Sequence, residues 1–173
     1  MEKQRVIDYQ TEVSMVEQAG FSRLYKEQYF VTATGINLEE QAENLYQTVQ
    51  VTGAEIGKFL LKEDDLVHII EFPDQRSKVK IGRAPNCEVI VPAEYKDVSA
   101  GHAFLKMEEG GICIMDVSKN GIYLAGRRIP AMTNVRVPDG TLVGLSKSYQ
   151  IGVYSPDLFY RLLQKFFEDL KVG

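Results

Sequence analysis

The sequence predicts a mainly β protein: an antiparallel β-sandwich with an N-terminal helical extension and a C-terminal amphipathic helix. Three observations predict it. Between residues 66 and 153, short runs of β-branched and apolar residues alternate with Gly, Pro, Asn and Asp turn signals, the pattern of a sandwich. Before residue 57 the composition shifts toward Gln, Glu and Tyr, with apolar residues at helical spacing. After residue 154 an apolar face recurs at intervals of three and four. The expected units are residues 1–57 (helical extension), 58–154 (sandwich) and 155–173 (helix).

The bulk properties fit this layout. A chain of 173 residues, 45% of them hydrophobic, suits one domain with an attachment and supports a real core. The formal net charge of −4 argues against a general nucleic-acid binder, whose affinity rests on many Lys and Arg contacts to phosphates. Cys87 and Cys113 are too few for a disulfide framework and too far apart for a paired metal motif. A reducing cytoplasm is the expected setting, with no metal and no cofactor. No apolar run approaches the roughly 20 residues needed to span a bilayer, and residues 1–5 lead into no signal-type core, so no membrane insertion is expected.

In chain order, residues 21–30 read as a short helix with Phe21, Leu24 and Tyr25 on one side, bounded by Gly20 and Gly35. Asn37 before Leu38-Glu39-Glu40 reads as an N-cap with glutamate at the third helical position, and Leu38, Ala42, Leu45 and Val49 then form an apolar stripe. Strand-like runs follow. Leu66 to Phe72 ends at the Pro73-Asp74 turn. In Lys78-Val79-Lys80-Ile81, Val79 and Ile81 face inward and Arg83 is delivered to a loop. Glu88 to Val91 is the next strand. Residues 103–108 and 112–115 form a hairpin about Glu109-Gly110-Gly111, and 122–124 and 127–129 form another about Ala125-Gly126. Residues 141–145 and 149–153 complete the set.

Ser155-Pro156-Asp157 is a helix opening, with Ser155 as N-cap and Pro156 in the first helical position. Leu158, Phe159, Leu162, Leu163, Phe166, Phe167 and Leu170 then make a broad apolar face. Burying such side chains is worth about 1.5–3 kcal/mol each, so the face needs a cover. The candidates are the helix beginning at Leu38, the sandwich flank, or a second copy in a homodimer.

The chemistry gathers between residues 81 and 121. Gly82-Arg83, Ser99-Ala100-Gly101-His102 and Ser118-Lys119-Asn120-Gly121 each stand at the edge of a strand-like run. A phosphorylated threonine carries about −1.5 to −2 charges and three acceptor oxygens. A guanidinium meets that geometry with a planar fork of donors, a serine adds a hydroxyl proton, and an asparagine offers both a donor and an acceptor for a peptide backbone. With Asp116-Val117 before the third block and Gly126-Arg127-Arg128-Ile129 after it, these residues resemble the forkhead-associated family of phosphothreonine-reading β-sandwiches, over residues 66–153. The resemblance implies that Arg83 and Ser99 bind phosphate, that Asn120 holds the ligand backbone, and that Gly82, His102 and Gly121 shape the loops. Ala100 stands where the family often has a polar or basic phosphate contact, and Lys119 where it often has threonine or serine. Lys119, Arg127 and Arg128 are accessory cations, suited to a phosphothreonine followed by acidic residues. Some bacterial relatives fill their own pocket with a phosphorylated N-terminal threonine, which makes Thr11 a candidate phosphosite.

Other motifs read as structure. The segment from Gly53 to Phe59 is one residue short of a phosphate loop and lacks the Ser or Thr after its lysine. Ser99 and His102 have neither a nucleophile-elbow pattern nor an assigned acidic partner, and His68 has no metal-ligand company, so no enzyme is expected. The reading is a non-enzymatic adaptor whose partners are a phosphothreonine protein and an upstream Ser/Thr kinase. The alternative is a phosphate-independent assembly module of a larger complex, such as a secretion complex.

Overall fold

The computed structural model describes residues 4–35 and 61–172. The helix expected from Asn37 and the segment from Gly53 to Phe59 lie outside the described residues.

Alternation along the strands sorts side chains between two faces, and the strands assemble so that the apolar sets meet. In chain order the elements are β1 (Gln4–Arg5), a 3-10 turn (Val6–Tyr9), α1 (Gln10–Met15), α2 (Gln18–Leu24), β2 (Gln28–Gly35), β3 (Leu66–Glu71), β4 (Lys78–Gly82), β5 (Val89–Ile90), β6 (Ala103–Glu108), β7 (Gly111–Asp116), β8 (Tyr123–Leu124), β9 (Arg127–Arg128), β10 (Asn134–Arg136), β11 (Leu142–Gly144), β12 (Tyr149–Tyr154) and α3 (Pro156–Val172). They form a seven-stranded sheet, β1-β3-β2-β12-β11-β8-β9, facing a five-stranded sheet, β10-β7-β6-β4-β5. Pairing is antiparallel except between β4 and β5, where Ile81 lies beside Val89 in parallel. Val31, Ile70, Ile81, Leu105, Ile114, Val143 and Ile151 point between the sheets into an aliphatic core.

The opposite face of the seven-stranded sheet is covered as well. Phe30, Val67 and Tyr154 join Val6, Tyr9, Phe21, Phe159, Leu162 and Leu163 in a second, aromatic core. The Phe30 and Phe159 rings stack with centroids 4.4 Å apart and planes at 2°. Tyr9 meets both edge-on, at 5.9 Å and 5.7 Å. The Tyr160 hydroxyl donates to the Val16 carbonyl at 2.7 Å, tying α3 to the end of α1. Ser155 caps α3 as expected: its carbonyl accepts from Phe159 N–H at 2.9 Å and its hydroxyl from Leu158 N–H at 3.4 Å. The apolar face of α3 is therefore covered within one chain, by the sheet flank together with the short N-terminal helices.

The helix expected over residues 21–30 is corrected: helix ends at Leu24, and residues 28–35 are strand. Glu27 takes φ 64°, outside any right-handed helix. Beyond it β2 is paired on both edges, Phe30 lying opposite Ile69 on β3 and Tyr154 on β12. Two ladders and burial on both faces outweigh helical spacing.

Candidate functional site

The site grows from the end of β4. Ile81 is buried and Gly82 closes the strand against the next loop so tightly that a Cβ on Gly82 would collide with the Ala100 carbonyl. Glycine is required there by close approach. Arg83 then leaves the sheet. Its backbone N–H donates to the Ser99 carbonyl at 3.1 Å, and its Nε donates to the Val98 carbonyl. The two terminal guanidinium nitrogens have no hydrogen-bond partner among the described residues, so the anchored fork is available to an anion.

Ser99 is half-buried, and its hydroxyl accepts from Lys119 N–H at 3.1 Å. With that lone pair engaged, the hydroxyl proton is left to donate elsewhere. Asn120 reaches back to the same segment, its Nδ2 donating to the Asp97 carbonyl at 3.0 Å. Among the described residues its side-chain oxygen and second N–H have no hydrogen-bond partner. Residues 97–99 are thus the hub at which Arg83, Ser99, Lys119 and Asn120 meet.

His102 fixes this hub from beneath. It is fully buried; its N–H donates to the Ile81 carbonyl at 2.8 Å, its carbonyl accepts from Val117 N–H at 3.1 Å, and its Nδ1 accepts from Ser99 N–H at 2.9 Å. One residue holds three loops. Burial pushes its pKa below the ordinary 6.5, with the Asp116 carboxylate opposing in part. An Nδ1 that accepts a hydrogen bond belongs to the neutral imidazole, the form that this burial favours.

The third loop is held by two residues that sequence reasoning left without a role. Asp116 Oδ1 accepts from Ser118 N–H at 2.8 Å and from its hydroxyl at 2.5 Å, and the Ser118 hydroxyl accepts from Gly121 N–H at 2.8 Å. The Asp-x-Ser spacing of an Asx-type turn was the available signal. Gly121 takes φ +98°, and an ideal Cβ on it would stand 2.6 Å from Arg128 Nε. Arg128 therefore lies directly against the turn that presents Asn120.

Ala100, Lys119 and Arg127 are exposed around these loops. Thr11 is exposed in α1, where its carbonyl accepts from the Ser14 hydroxyl at 2.8 Å; it belongs to the helical layer, not to the three loops.

Residues 79–146 match the family model of the FHA domain. Among solved structures, the chain is similar to an engineered FHA with Myc-pTBD peptide (TM-score 0.51, 15% identity, covering 78% of this chain and 96% of that one). It is also similar to Rad53 1-466 in complex with AMP-PNP (TM-score 0.50, 16% identity, 79% of this chain), of which it spans only 32%. The FHA domain of an Arabidopsis thaliana hypothetical protein aligns with TM-score 0.49 and 18% identity, over 76% of this chain and 87% of that one. At such identities the first two structures speak to fold alone. No curated protein matches the chain.

Proposed function

We propose that this chain, which carries a forkhead-associated (FHA) domain at residues 79–146, is a phosphothreonine-dependent adaptor that binds a protein marked by a Ser/Thr kinase. The observation that carries the reading is the anchoring of Arg83: its Nε is held by the Val98 carbonyl, in the segment to which Asn120 also bonds, and among the described residues its terminal nitrogens have no hydrogen-bond partner. That geometry suits a dianion attached to a peptide. Arg83 and Ser99 take the phosphate and Asn120 the ligand backbone. The role is binding, not catalysis. Lys119 beside Ser99 and Arg128 against Gly121 favour acidic residues after the phosphothreonine. Arg127, on the opposite side of β9, serves as the matched control. No helix among the described residues is long and apolar enough to cross a membrane.

The test is fluorescence anisotropy with degenerate phosphothreonine, phosphoserine and unphosphorylated peptide pools. Losing one partner of a desolvated charged contact costs roughly 2–5 kcal/mol, so Arg83→Ala is expected to weaken phosphothreonine binding about thirtyfold or more. Phosphate-independent binding, or no loss in Arg83→Ala, would turn the reading to a structural assembly module, for which the exposed Ala100 in a phosphate-loop position is the favouring observation. Thr11 is kept as a candidate phosphosite. Protein phosphorylated there that binds the pool as tightly as unmodified protein would rule out self-occupation.

A further inference from the structure

We propose that the outer face of the five-stranded sheet is a second binding surface, which takes an acidic polypeptide segment carrying an apolar side chain. The register sets Lys78 directly opposite Lys106, Lys106 opposite Cys113, and Cys113 opposite Arg136, one row across four strands. The next row is Lys80, Phe104, Met115 and Asn134. Like charges directly opposite in an antiparallel pair destabilise it. The Lys78–Lys106 pair is therefore not explained by the stability of the sheet, and it runs against a chain whose net charge is −4.

Carboxylates border this face, among them Glu109 at the β6–β7 turn, which with Glu108 acts on Cys113. Glu108 pairs with Lys106 at 3.3 Å and accepts from Asn134 Nδ2 at 3.0 Å, while Glu88 accepts the Lys80 backbone N–H at 2.7 Å. Lys78 and Arg136 make no ion pair among the described residues. Lys78 Nζ stands 5.7 Å from the centre of the Phe104 ring. Phe104 and Met115, both half-buried, line a shallow dip of about 70 Å³ ringed by Lys78, Lys106 and Asn134.

Cations around an apolar floor match Asp or Glu residues flanking one apolar anchor: opposite charge steers the encounter and the buried side chain fixes the register. A nucleic-acid backbone is the poorer match, because Glu88 and Glu108 interrupt the cations. The face also runs up to the loops, since a Cβ on Gly101 would stand 3.1 Å from Lys80 Cε. A polypeptide gripped by the loops can continue onto the sheet.

The probe is a short fluorescein-labelled Glu/Asp peptide with a central leucine and no phosphate, titrated with the full chain at low and physiological salt. Saturable binding that weakens with salt is expected. The Lys78→Glu/Arg136→Glu double variant should weaken it about tenfold or more, and Phe104→Ala about threefold. Lys78→Gln/Arg136→Gln covers the case in which charge reversal impairs folding. Arg83→Ala should leave binding unchanged, which separates this surface from the loop site whatever the fate of the phosphothreonine reading. Absence of saturable binding, indifference to the double variants, loss in Arg83→Ala, or preference for a single-stranded oligonucleotide would each overturn the proposal.

Discussion

The two outward faces of the sandwich have been treated in opposite ways. On the seven-stranded sheet, Phe30, Val67 and Tyr154 point away from the aliphatic core and are roofed by the helices through Tyr9, Phe21 and Phe159. On the five-stranded sheet, the corresponding positions are Lys78, Lys80, Lys106 and Arg136 around a half-buried Phe104. The first face is a second core and the second is a surface. The contrast explains why every residue of β12 is buried, while β4 alternates in the way of a sheet with one wet side. It also means that the helices are part of the fold, whereas no helix among the described residues packs on the cationic face.

The contrast is tested most severely at Phe159, which is fully buried and stacked on Phe30. Phe159→Ala is expected to cost about 3–5 kcal/mol in denaturant unfolding, through lost transfer energy and the cavity left behind. Lys106→Ala on the other face should change stability by no more than about 0.5 kcal/mol. Similar small losses at both positions would mean that the helices are an appendage and that the two faces are alike.

A smaller effect is expected where the loops depend on the sheet. Gly82→Ala drives a methyl group into the Ala100 carbonyl, which already accepts Ala84 N–H at 3.0 Å. Overpacking against backbone of this kind costs about 1–3 kcal/mol. The displaced carbonyl is next to Ser99, so phosphothreonine-peptide binding should fall with stability. A thermal melt and an anisotropy titration that both match wild type would show that the loop tolerates the shift and is not held by close approach.

The sandwich from β3 to β12 was legible because alternation and turn chemistry agree along it. β2 was not, because Phe21, Leu24 and Tyr25 set a helical spacing just before a strand whose identity rests on pairing with β3 and β12. β10 was missed because Asn134–Arg136 is too short to show a period. At the site, the blocks containing Arg83, Ser99 and Asn120 were readable, as side chains with distinct chemistry. The hub that joins them was not, since the carbonyls of Asp97 and Val98 belong to the backbone and leave no mark on side-chain identity. The place of Arg128 over Gly121 depends in turn on the register of the β8–β9 hairpin, which sets Tyr123 opposite Arg128 and which the Ala125-Gly126 turn signal does not by itself specify.

His102 gives the comparison a pH dimension, because it is buried beneath the loops with its pKa held below 6.5 mainly by that burial. The unfolded chain therefore takes up the proton first as pH falls. The contribution of neutral His102 is complete above the ordinary value of 6.5 and is lost as pH drops toward the lower folded-state value. The melting temperature should be lower at pH 5.5 than at pH 7.5, and His102→Gln should narrow the difference. Equal drops in the variant and wild type would place the sensitive group elsewhere.

The smallest effect bears most directly on why the two faces differ. If the cations of the five-stranded sheet served the fold, reversing one should harm it. Lys78 lies opposite Lys106 in an antiparallel pair, and Lys78→Glu replaces a like-charge pair with an opposite one. Such a change is worth about 0.2–1 kcal/mol in favour of the sheet. Lys106 already shares Glu108 at 3.3 Å, and Lys78 gives up its place over the Phe104 ring, so the gain should fall at the low end of that range. A slight rise in denaturation midpoint with an unchanged slope, alongside weakened binding of the acidic peptide, would separate stability from function at one residue. A lower midpoint would make Lys78 a structural residue, and the open face would then need a different explanation.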